Sequence, residues 1–123
     1  MESAAAAEIF EQFPDGVFPA ACPSRVLLDH VTSKWGVLVL VSLTEGPQRW
    51  SELRRRAQGI SEKMLAQTLK TLEADGLVHR DQQPVMPPRV DYSLTPLGEE
   101  LAEVMVPLLR WVGRKADAII GER

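Results

Sequence analysis

Between residues 49 and 80 stand Arg49, Arg54, Arg55, Arg56, Lys63, Lys70 and Arg80 against Glu52, Glu62, Glu73 and Asp75, seven basic groups to four acidic. The whole chain carries a net charge of −3, so this segment is a local positive island and the remainder is acidic. Guanidinium and ammonium groups gathered this way suit phosphate oxygens, and the chemistry they offer is adhesion to a polyanion rather than bond breaking. Charge alone leaves a second reading open, a solvated helix surface with no partner.

Groups that break bonds are sparse. His30 and His79 are the only histidines, and neither stands at metal-ligand spacing from the other or from Cys22. No glycine-rich phosphate loop with a lysine is present, and the carboxylates scatter along the chain. An enzyme is therefore not expected, nor a bound metal or cofactor. Cys22 is the single cysteine, cannot form an internal disulfide and suits a reducing compartment, so a cytoplasmic protein is expected. It directly precedes Pro23, near a helix amino terminus whose partial positive charge promotes thiol reactivity. The plainer role is a small buried hydrophobe, because no second cysteine is available to resolve an oxidised first one.

The elements that must position the basic segment follow from size and pattern. A chain of 123 residues with 45% hydrophobic and 25% charged residues makes one globular domain. Its longest apolar run, within residues 37–43, is far short of the roughly 20 residues that span a bilayer, so no membrane partner is expected. Nothing at the amino terminus reads as a secretory signal.

Residues 3–13 combine Ser3, four alanines, Ile9, Phe10 and Phe13, which suits a short amphipathic helix with a serine cap, and Pro14, Gly16 and Pro19 end it. Val26, Leu27, His30 and Val31 recur at helical spacing. The run at 35–43 is ambiguous: its valines favour a strand, its length and apolarity equally suit an interior helix. Ser51 can cap a short helix bearing Leu53 and three arginines, closed near Gly59. Ser61 can cap a second one, in which Leu65, Leu69 and Leu72 make a buried stripe while Lys63, Gln67 and Lys70 repeat that spacing on another face. Two short helices joined by a glycine-containing turn describe a helix-turn-helix. Residues 77–83 and 89–94 then read as strands of a hairpin with a tip of prolines. Thr95 and Pro96 open a last helix, whose apolar stripe runs through Leu97, Leu101, Val104, Met105, Leu108 and Val112. Pro107 sits inside it and is expected to kink or divide the helix near Glu103.

This order of elements, with the motifs it carries, resembles the HxlR family of bacterial winged helix-turn-helix transcription regulators over residues 22–112. The likeness rests on Cys22-Pro23, Lys34-Trp35, Trp50-Ser51-Glu52-Leu53-Arg54, Gly59-Ile60-Ser61 with Lys63-Met64-Leu65, Leu72-Glu73 with Asp75-Gly76-Leu77-Val78, and Pro87-Pro88-Arg89-Val90 with Tyr92, Leu94-Thr95-Pro96 and Gly98. Trp50 stands where a smaller aromatic is usual, and the alanine-rich arm before Cys22 is not a family feature. The resemblance implies that 35–43 is helical and that the fold is mainly α with a small β-hairpin wing. Three parts packed as one unit are expected: an arm over 1–21 that the likeness does not cover, a DNA-binding winged helix over 22–95 and a dimerisation helix over 96–123.

It also implies a function. The recognition helix at about 61–75 would enter the major groove of an inverted-repeat operator, with Ser61, Lys63, Gln67, Thr68 and Lys70 toward the duplex. Ser51, Arg54 and Arg55 would meet the phosphate backbone, and Arg89 on the wing a minor groove, unless it serves to tie the hairpin to Asp91. The partner implied is double-stranded DNA. A second copy of the chain is expected on separate grounds, because the last helix and the arm offer more apolar surface than one small domain can cover, through Ile9, Phe10, Phe13, Leu101, Met105, Leu108 and Val112. Relatives that sense redox state with a cysteine at the position of Cys22 leave a redox or small-molecule effector open. The rival reading is a winged-helix module that docks on protein and does not bind DNA.

Overall fold

The computed structural model describes residues 4–12, 18–20 and 22–121. Six helices and one hairpin make up the described chain: α1 Ala4–Gln12, α2 Pro23–Thr32, α3 Lys34–Ser42, α4 Trp50–Arg56, α5 Glu62–Ala74, β1 Val78–Gln83, β2 Arg89–Leu94 and α6 Pro96–Ile120, with a single 3-10 turn, Leu43–Glu45, after α3. Ser3 and Phe13 lie outside the described residues, as does the side chain of Phe10.

The ambiguous run at 35–43 is a helix, and the reason lies in its neighbours. α3 packs on α2, α4, α5 and α6. A helix surrounded in this way must be apolar on nearly every side, which erases the periodicity that would have revealed it. Val39 and Leu40 are fully buried at its centre. Ser33 starts it, its Oγ accepting from the Gly36 N–H at 3.1 Å. Leu53, Leu65, Leu69, Leu72, Leu77 and Val78 complete one core.

β1 and β2 pair antiparallel, with Val78 opposite Leu94 and Gln83 opposite Arg89. No local pattern hints at a third pairing, yet Gln48 exchanges two backbone hydrogen bonds of 2.8 Å with Tyr92 and so extends the wing by one residue. Its buried side chain donates to the Ser42 carbonyl at 2.9 Å, tying the wing to the end of α3.

α6 begins as expected, with Thr95 Oγ1 accepting from the Gly98 N–H at 3.0 Å and Pro96 in the first turn. The Thr95 hydroxyl also donates to the Gly76 carbonyl at 2.6 Å, and Thr95 N–H donates to Leu77 at 3.1 Å. Gly98 is buried against the Leu77 backbone, where a Cβ would collide with the Leu77 carbonyl oxygen. Pro107 does not divide α6, which runs unbroken for 25 residues. A proline deletes one ladder donor, and the other hydrogen bonds of a helix this long hold it together.

Candidate nucleic-acid interface

α4 opens two residues earlier than the Ser51 cap would place it. Its first residue is Trp50, and Arg49 occupies the cap position. Glu52 compensates by accepting from the Arg49 N–H at 3.0 Å, which leaves Ser51 inside the first turn with an exposed side chain. Gly59, at a φ of 93°, lies in the turn that follows. Ser61 then caps α5 as expected, its Oγ 3.1 Å from the Met64 N–H.

Within α5 the buried positions are Leu65, Thr68, Leu69 and Leu72. Lys63, Gln67 and Lys70 project from the opposite pole and are exposed, with no hydrogen bond or ion pair to a described residue. Thr68 is corrected by this geometry. It is only 9% exposed, on the side that packs inward, so it does not face a duplex. The signal was present, since Thr68 follows Leu65 by three residues and precedes Leu72 by four, which puts it in the buried stripe.

The arginines of α4 differ among themselves. Arg54 lies 3.4 Å from Glu62 and Arg56 lies 2.7 Å from Glu45, whereas Arg55 is exposed and meets no described acid. Both pairs are exposed to solvent, so a phosphate competes for these guanidinium groups at little cost. On the wing, Arg89 Nε donates to Asp91 at 3.2 Å, and Gln83 donates to the same carboxylate at 2.9 Å. Arg89 therefore ties the hairpin while its side chain stays 45% exposed.

One interaction behind the interface was not legible from spacing. His30 Nδ1 on α2 is 2.8 Å from Asp75 Oδ2, the residue that ends α5, so the far end of the polar helix is fastened across 45 positions of chain.

The profile of the HxlR-like helix-turn-helix family matches residues 30–119. The chain belongs to this family. It is 50% identical over 114 residues to the HTH-type transcriptional regulator YtfH of Escherichia coli strain K12, covering 92% of this chain and 90% of that one. The solved YtfH structure from Salmonella typhimurium superposes with a TM-score of 0.79 at 50% identity, over 85% of this chain and 94% of the other. The redox regulator HypR in its oxidised form gives a TM-score of 0.70 at 35% identity, over 76% and 96%. These likenesses bear out the winged helix-turn-helix architecture.

The remaining expected residues divide by burial. Met105 is corrected: it is 8% exposed within the core of a single chain, not on an outer face. Leu101 packs partly against that core. Leu108 and Val112 are exposed at 58% and 45%, and Ile9 on α1 at 37%. Cys22 is half-buried at the cap of α2. Among the described residues no three of His, Cys, Asp and Glu gather as metal ligands, and no single helix is long and apolar enough to cross a membrane.

Proposed function

We propose that the chain is a cytoplasmic transcription regulator that binds an inverted-repeat operator as a homodimer, with α5 in the major groove and the β1–β2 wing along the flanking minor groove. The observation that carries the reading is the unpartnered polar pole of α5, Lys63, Gln67 and Lys70, directly opposite a fully buried leucine stripe. Gln67 suits an adenine edge and the lysines suit phosphate or guanine. Arg55, Arg54 and the Ser51 hydroxyl on α4 stand where the first helix of this motif crosses the backbone. Residues 22–95 supply the duplex-binding part and 96–123 the dimer helix. The regulator names of the family members support this reading over a protein-docking module.

The homodimer rests on α6, whose Leu97, Val104, Leu108, Trp111, Val112 and Ile119 are all exposed. So large an apolar face at helical spacing is uncommon on a monomer and suits two-fold pairing with its own copy. Two recognition helices in successive major grooves then call for half-sites about 10 base pairs apart, or a multiple of that. Cys22 offers a redox input only through a second molecule, because the chain has no other thiol.

Titration of labelled duplex at several salt concentrations tests the assignment. Gln67→Ala loses on the order of 1–3 kcal/mol at the cognate site and relaxes preference at one position in each half. Arg55→Ala weakens all sequences alike and flattens the log-log salt slope by about 0.9 for each phosphate that the protein no longer neutralises. Wild-type protein that shows no salt-dependent duplex binding overturns the proposal.

A further inference from the structure

A cleft of about 580 Å³ opens between the start of α4 and the tip of the wing. Trp50, Val85, Pro87, Pro88 and Val90 give it apolar walls, and Arg49 and Arg89 both line it. The two arginines stand 40 positions apart in sequence and converge because the Gln48–Tyr92 bridge draws the wing against the start of α4. Arg49's guanidinium makes no ion pair with a described residue, and Arg89 spends only its Nε on Asp91. Met86 at the rim is 93% exposed and Val85 48%, so apolar surface is left uncovered beside unspent positive charge.

We propose that this cleft binds a small organic monoanion, a flat apolar body bearing one carboxylate. Indole and proline faces pack against a flat body, and guanidinium groups take a carboxylate by paired hydrogen bonds. Its volume lies in the range of small-molecule sites, with few polar groups set in mainly apolar walls. A duplex alone does not account for the site, since a phosphodiester uses the arginines and has no use for the apolar floor. Occupancy sets one negative charge between the two guanidinium groups and wedges the wing tip from α4, so the ligand and the duplex oppose each other. That opposition rests on the proposed DNA reading, whereas binding of the anion does not.

The test uses 2-naphthoate as probe and neutral 2-naphthamide as control, titrated calorimetrically into the full-length protein. The expected result is saturable binding of naphthoate at about millimolar concentration or below, with the amide at least tenfold weaker. Arg49→Gln and Arg89→Gln each weaken naphthoate about tenfold or more. Arg49 is exposed and makes no ion pair with a described residue, so Arg49→Gln retains the wild-type melting curve, whereas Arg89→Gln also gives up the Asp91 pair and is titrated at a temperature where its own melting curve shows it folded. At fixed ionic strength, saturating naphthoate lowers duplex affinity several-fold and naphthamide does not. Absence of saturable naphthoate binding, equal binding of acid and amide, or indifference to both arginine substitutions overturns the proposal. Loss of duplex affinity in the arginine variants with no naphthoate binding in wild type overturns it in favour of a site that serves the duplex alone. If naphthoate binds as described but no duplex does, the cleft stands and the DNA reading fails.

Discussion

α5 and α6 are both amphipathic, yet one chain completes only the first. In α5, Leu65, Leu69 and Leu72 are all buried, and what remains outside is polar except for Met64, Ala66 and Ala74. In α6 only Gly98, Ala102 and Met105 are buried, while a second apolar row from Leu97 to Ile119 faces out. Hydrophobic surface is non-directional and roughly additive in area, so a helix with one apolar row is satisfied by one neighbour and a helix with two rows requires another. The contrast separates a polar face, proposed for the duplex, from an apolar face, proposed for a second copy of the chain.

The comparison breaks most severely at the buried row. Leu65→Ala on α5 leaves a cavity and is expected to cost about 2–5 kcal/mol, measured by urea unfolding. Gly98→Ala belongs nearly in the same class, since the new methyl meets the Leu77 backbone; about 1–3 kcal/mol is expected from the same unfolding measurement.

At the outer row of α6 the expectation reverses. Leu108→Glu leaves the core of each chain untouched and weakens self-association by roughly ten- to a hundred-fold, read by sedimentation equilibrium. A wild-type protein that sediments as 13.7 kDa at micromolar concentration removes the contrast altogether. The smallest effect belongs to the rim of the interface: Arg54→Ala breaks an exposed pair with Glu62 and changes stability by only about 0.2–1 kcal/mol, yet it weakens duplex binding at low salt.

Much of this architecture is written locally. Ser61 and Thr95 cap their helices because each needs only an N–H three residues ahead, and the 65-69-72 stripe and the proline-tipped hairpin are equally short-range. The same local logic, applied strictly, excludes Thr68 from the outer face of α5. It misplaces the α4 cap because Ser51 looks suitable in isolation, while the pairing of Gln48 with Tyr92 settles where the chain enters that helix.

What sequence determined by itself is therefore the set of elements whose signals lie within one or two turns: the two capped helices, the polar pole with Lys63, Gln67 and Lys70, and the hairpin. Tertiary structure alone decided that the helix at 35–43, implied by the resemblance, sits at the centre of the core, that Met105 belongs inside while Leu108 stays outside, that His30 fastens Asp75, and that Arg49 and Arg89 share a cleft. The physical reason is common to all four. Each depends on which surfaces meet across distant segments of chain, and a helical period says which residues share a face but not how many neighbours that face will find.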